Sequence, residues 1–336
     1  MKLLNIGWAT TIALGIFSCM SCTDPITPPP PPTPAFKEVG PKFDSDQAYK
    51  MVAKQVAFGP RVPGTPAHDS CATWLLQEFA KYGAKVQLQE ANVFAHNGEK
   101  TFDIKNIIAI INPDATKRIL LCAHWDSRAE ADQEKDPAKK KQPILGADDG
   151  ASGVAVLLEV ARAINSSPLK NIGIDIVLFD VEDQGRSGAG YSRESWCLGA
   201  QYWSKTPHVD GYKADFGILL DMVGSRGARF AKEGVSLKHA SIYVDRVWKA
   251  AWGRGYRDFF HDVEERQLID DHVFVNEIRQ IPTIDIINLP ANSETGFGPY
   301  WHTLDDNMDI IGKTTLEAVG QTLLQVIYEE EAGIMQ

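Results

Sequence analysis

Five short, nearly uninterrupted apolar runs constrain this chain most: IIAII (107–111), ILLCA (119–123), IDIVLF (174–179), FGILLDM (216–222) and IPTIDII (281–287). A strand with one wet face alternates polar and apolar residues, whereas a continuous run belongs to a strand covered on both faces. Helices must supply that cover. GASGVAVLLEVARAI (150–164) repeats apolar residues at helical spacing between two of the runs, and 236–252 and 314–331 are similar. Upstream, Val52, Val56, Leu75, Leu76 and Phe79 predict two helices around the Gly/Pro-rich loop GPRVPGTPAH (59–68). The fold class is therefore α/β: three αβα layers around a mostly parallel central sheet.

From residue 43 to the C-terminus there is no second linker, repeat or low-complexity tract, and 44% of the 336 residues are hydrophobic, enough for one large core. The N-terminus is different. Residues 1–22 have one lysine, an apolar stretch and then small residues with Cys19 and Cys22, the layout of a secretory signal with a lipobox and too short to span a bilayer. The proline-rich linker at 23–42 favours extended polyproline II, and at about 3.1 Å per residue it could hold the body about 50 to 60 Å from an anchor. These features predict an exported, lipid-anchored bacterial protein. No acidic run directly follows either cysteine, which favours the periplasm. Only Cys71, Cys122 and Cys197 remain in the body, so at most one disulfide can form and the fold must rest on its core. The formal charge of −10 and the scatter of Lys and Arg exclude a nucleic-acid or anionic-lipid surface, and AKKK (138–141) reads as a solvated loop. A monomer is expected.

In open α/β sheets, functional groups gather beyond the carboxyl ends of the strands. Here the runs end in just such groups. His124 and Asp126 follow the second run, Glu182 and Asp183 the third, and Asp221 closes the fourth. Asp148 and Asp149 precede the 150–164 helix; Asp270, Asp271, His272 and His302 come later. Singly each has a structural explanation: Asp149 as a helix N-cap, Asp221 bonded to backbone N–H groups, His302 as a loop residue. Jointly they form an acidic cluster that would repel itself without a cation or shared protons. Imidazole plus carboxylate ligands without paired cysteines point to catalytic zinc; magnesium would want more oxygens.

The motifs HWDS (124–127), GADDGASG (146–153), FDVED (179–183), LLDMVG (219–224) and YWHTLDD (300–306) resemble, in order, those of the zinc aminopeptidase superfamily. Within it, LIDDHVF (268–274) and Trp301 beside His302 resemble the glutaminyl cyclases. The resemblance implies that Asp149, Asp183 and His302 hold one zinc ion and that Glu182 is the general acid/base. In two-metal relatives His124 and Asp221 would hold a second zinc bridged by Asp149, and both residues are present, so the ligands leave peptidase and cyclase open.

A hydrolase needs water activated by metal; a cyclase does not, because the α-amine of an N-terminal glutamine attacks its own side-chain amide. Asp270, sharing a proton with Asp221, would hold Glu182 near neutral pKa and disfavour a second metal, which tilts the expectation toward cyclisation of peptides that begin with glutamine. Trp301 and Phe297 are expected to wall the substrate pocket. Trp196 and Trp203, in SWCLGAQYW, can also be walls, although their helical spacing suits packing; Trp196 is kept as a substrate-binding candidate. A non-catalytic binding ectodomain is the rival from another class, disfavoured by the intact base and ligands. Asp285 stands where vertebrate-type cyclases have histidine, and ANSETGFGPY (291–300) is longer.

Overall fold

The computed structural model describes residues 36–95 and 100–334; the leader, Cys19, Cys22 and residues 23–35 of the proline-rich linker lie outside the described residues. The helices are α1 (Ser45–Val56), α2 (Pro66–Lys81), α3 (Ala151–Ser166), α4 (Leu198–Lys205), α5 (Gly234–Gly253), α6 (Asp271–Phe274) and α7 (Lys313–Ala332). The strands are β1 (Lys85–Ala95), β2 (Lys100–Ile111), β3 (Lys117–His124), β4 (Ile172–Phe179), β5 (Phe216–Asp221), β6 (Phe230–Lys232), β7 (Phe260–Glu264) and β8 (Thr283–Ile287).

The main sheet runs β1-β2-β4-β3-β5-β8, and β6 and β7 form a small parallel ribbon. Pairings β4–β3, β3–β5 and β5–β8 are parallel, as expected. The other two, β1–β2 and β2–β4, are antiparallel, so the sheet is mixed at one side. An apolar run shows that a strand is covered but not which way it points, which is why the direction of β2 escaped the sequence. β1 escaped because it is an edge strand whose residues alternate between exposed and half-buried.

Alternate side chains of the central strands enter two cores. Leu121, Ile176, Ile218 and Ile284 pack on one face with α1, α2, α3, α5 and α7. Leu120, Cys122, Val177 and Leu219 pack on the other with Trp203 of α4 and with Val273 and Phe274 of α6. Both faces are dry, which is what the uninterrupted runs demanded. Local chemistry starts the first helices: Asp44 accepts from the N–H groups of Asp46 and Gln47 at 3.0 Å each, and Thr65 caps α2 ahead of Pro66. The three body cysteines are free and buried, and 37–336 forms one compact unit.

Candidate active site

Because β3, β4, β5 and β8 are parallel, their carboxyl ends share one edge of the sheet, and the expected residues meet there. His302 Nε2 lies 3.1 Å from Asp183 Oδ1 and 3.8 Å from Asp149 Oδ2. His124 Nε2 lies 3.0 Å from Asp149 Oδ1 and 3.2 Å from Asp221 Oδ1. Two donor clusters result, Asp149–Asp183–His302 and His124–Asp149–Asp221, joined through Asp149. Asp149 is not the cap of α3: that position is Gly150, with φ +99° and no capping side chain, so the Asp149 carboxylate faces the two histidines instead of the helix N–H groups. A Cβ on Gly150 would fall 2.6 Å from the Asp126 carbonyl and 3.0 Å from His124 Cε1, so only glycine lets the helix start this close to the ligands.

Neighbouring acids hold the ligand loops. Asp126 accepts from the N–H groups of Glu182 and Asp183 and from Gln184 Nε2 at 3.1–3.3 Å, shaping the turn beyond β4. Asp306 accepts from the N–H groups of Asp148 and Asp149 at 2.7 and 3.1 Å, so the motif that carries His302 also clamps the segment that carries Asp149. Asp132 accepts from His302 Nδ1 at 2.9 Å and from Arg128 at 2.8 Å, which leaves Nε2 as the nitrogen facing the carboxylates. Sequence reasoning missed Asp132; it lies in a charged loop with no periodic signal. Val181, Met222 and His302 all have left-handed backbones (φ +54°, +46° and +55°), each costing about 1–3 kcal/mol and each next to or part of the cluster.

The donor set fits zinc. His302 offers an imidazole nitrogen, Asp149 and Asp183 offer carboxylates, and Asp183 Oδ2 is buried with no hydrogen-bond partner. Burial opposes charge on His302, but Asp183 and Asp132 outweigh it and lift its pKa to about 9. The carboxylates that favour positive charge on this ring would equally favour a bound metal cation.

A cavity of about 350 Å³ opens over this cluster. Glu182, Asp221 and Asp270 line it, as do Trp196, Phe297 and Trp301. Trp301 stacks on His302 with ring centres 3.7 Å apart, and Phe297 leans on Trp301 at 4.7 Å. Trp196 precedes α4 rather than packing within it, and it carries the Arg128 guanidinium on its ring at 4.9 Å; Trp203 is the buried packing residue.

Burial, then the charges of Asp183, Asp270 and Asp271, push Glu182 well above the usual carboxylate range, against the pull of His124. Asp221 is raised to about 8, by burial first and by Asp270 after the opposing hydrogen bond to His124. Asp270 does contribute to raising Asp221, but the partners differ from expectation: Asp221 bonds to His124, while Asp270 faces Asp285, their carboxylate oxygens within 4.8 Å of each other and of a His272 ring nitrogen. Asp270 Oδ1 also accepts from the Asp271 N–H at 2.5 Å, capping α6, and its Oδ2 has no partner. His272 stands outside the cavity, 3.0 Å from Glu233.

Residues 106–327 match the model of peptidase family M28. A crystal structure of a Zn-dependent exopeptidase from Parabacteroides distasonis is 50% identical, with a TM-score of 0.84, covering 86% of this chain and 99% of that one. A Bacteroides thetaiotaomicron glutaminyl cyclase bound to N-acetylhistamine is 49% identical, with a TM-score of 0.83 and the same coverage. Bovine glutaminyl-peptide cyclotransferase is 24% identical over 301 residues, 80% of this chain and 78% of its own length. Sequence motifs, sheet order and the paired donor clusters agree with these matches: the chain belongs to peptidase family M28.

Proposed function

We propose that this chain is a glutaminyl-peptide cyclotransferase, which converts an N-terminal glutamine to pyroglutamate and releases ammonia. The observation that carries the reading is Asp270, a buried acid whose carboxyl lies within 4.8 Å of Glu182 and Cys197 Sγ and is backed by Asp285. Burial and mutual repulsion raise Asp270 and Asp285 above the usual carboxylate range, and protons held there would take the place of a second cation.

Asp149, Asp183 and His302 would hold one zinc ion, which supplies Lewis acidity toward the substrate's γ-carbonyl. Glu182 takes a proton from the α-amine as that nitrogen bonds to the side-chain carbonyl carbon, then gives it to the amide nitrogen as the carbon–nitrogen bond breaks. The raised affinity of Glu182 for protons suits both halves of this exchange. Trp301 and Phe297 pack the two methylenes of glutamine and exclude water that would hydrolyse the amide instead. Several M28 relatives of this chain are named as glutaminyl cyclases, which supports the reading.

The His124–Asp149–Asp221 cluster favours a second reading, a two-metal aminopeptidase. Against it stands Asp270, whose carboxyl adds to the burial that raises Asp221 and makes it a poorer ligand for a second ion. Incubation with glutamine-initiated peptides and with aminoacyl amides separates the two: ammonia and a cyclised peptide support the cyclase, whereas free N-terminal amino acids with two bound ions overturn it.

On the sequence of its leader, the protein is further proposed to be exported to the periplasm and anchored by lipid at Cys19 or Cys22, with a monomeric body. Fatty-acid labelling that persists in a Cys19→Ser/Cys22→Ser double variant would exclude that anchor.

A further inference from the structure

A continuous stack of side chains climbs from the floor of the cavity to its mouth. His302 lies under Trp301 at 3.7 Å, Trp301 under Phe297 at 4.7 Å, and the Arg266 guanidinium carbon stands 5.5 Å from the Phe297 ring centre. Arg266 comes from the segment between β7 and α6, whereas the other three come from the loop after β8, so two distant parts of the chain meet in this stack. Gly296 makes the seat. Its φ is +88°, and a Cβ there would lie 2.0 Å from Arg266 Nη2, so any other residue would displace the guanidinium. The Arg266 carbonyl accepts from the Gly234 N–H at 3.2 Å, which ties the segment to the start of α5.

The charge pattern gives this seat a purpose. Among the described residues lining the cavity, Arg266 is the one cation, set against the carboxyls of Asp149, Glu182, Asp183, Asp221 and Asp270. Its guanidinium is exposed and, among the described residues, makes a ring contact but no ion pair. One face is dried by Phe297 while the N–H groups at its edge remain free for a planar anion. A peptide processed at Glu182 must enter with its N-terminal residue innermost, so the rest of the chain runs outward along the stack. At about 3.3–3.6 Å per extended residue, the second and third residues reach the height of Arg266.

Resting on the cyclase reading, we propose that Arg266 is a specificity-determining residue that recognises a carboxylate on the second or third residue of the substrate. That carboxylate is an Asp or Glu side chain, or the C-terminus of a short peptide. Without Arg266 no guanidinium or ammonium among the described residues lining the cavity would attract such a carboxylate; with it these peptides are selected.

The test compares kcat/KM for amidated peptides that carry Glu or Gln at position two or three, and for short peptides with free or amidated C-termini. Wild type should favour the carboxylate member of at least one pair by about threefold, an effect that shrinks at high salt. Arg266→Gln should abolish that preference and Arg266→Glu should invert it, with Arg266→Lys between wild type and Arg266→Gln. Each result is a ratio between two peptides on one preparation, so partial misfolding of a variant cancels. Equal rates on every pair, or a preference that survives Arg266→Gln, overturn this inference while leaving the cyclase intact. Absence of cyclisation of any peptide overturns both.

Discussion

Strand β4 carries one buried acid within it and leads into another, and they are treated in opposite ways. Asp175, near its start, is 1% exposed and fully partnered: Arg118 donates to both its oxygens at 2.5 and 2.8 Å, and the Tyr212 hydroxyl adds a bond at 2.8 Å. Asp183, just beyond its end, is equally buried, yet while Oδ1 is met by His302 at 3.1 Å and Arg128 at 3.4 Å, Oδ2 has no partner, and Asp149 adds a further acid beside it. Burial alone therefore does not mark chemistry. A charge that holds the fold together has its lone pairs filled by the protein; a charge kept for a ligand has them left open.

The variant expected to have the largest effect isolates the open end. Glu182→Gln should cut turnover by about 10²–10⁴-fold while zinc content stays constant, since the proton carrier goes and the ligands remain. Near-normal turnover would remove Glu182 from its role. At the filled end, Asp175→Ala should cost about 3–5 kcal/mol of stability by stranding Arg118, while specific activity per folded molecule persists. Denaturant melts and active-site titration check both halves, and loss of activity in fully folded protein would erase the contrast.

A second filled pair extends the comparison to pH. Burial would raise Glu233, but His272 and the N–H groups at the start of α5 hold its pKa down to about 2. A depressed carboxylate contributes stability that is fully present above the unfolded value of about 4.5 and is lost as pH falls toward 2. Glu233→Gln should therefore be about 2–3 kcal/mol less stable at pH 7, with the gap closing between pH 4.5 and 2. A gap independent of pH would show that charge is not the cause. The smallest effect is expected at Asp132, which orients a ligand without being one: Asp132→Asn should weaken zinc binding by about 10–100-fold, read by chelator competition.

Much of this contrast was legible before the structure. The apolar runs gave the covered strands, and the residues that end them gave the cavity acids Glu182, Asp183 and Asp221, with His124 bonded to Asp221. Asp270 and Trp301 came from resemblance, Phe297 as an aromatic close to Trp301, and all three fall in the cavity. What stayed hidden depends on closure between distant positions. Asp132 meets His302 across 170 residues, and Asp285 sits inside a run that reads as pure strand until Asp270 is brought beside it. The left-handed turns at Val181 and Met222 contradict local preference, since bulky residues avoid that region; tertiary packing imposes them, and no propensity announces them.

The most direct check on the open end is a zinc-edge anomalous difference map of crystals of the purified protein. One peak within bonding distance of Asp149, Asp183 and His302 is the expected result. A second peak of similar height between His124 and Asp221, or no density at Asp183, would contradict a single-ion cyclase and return the site to the peptidases.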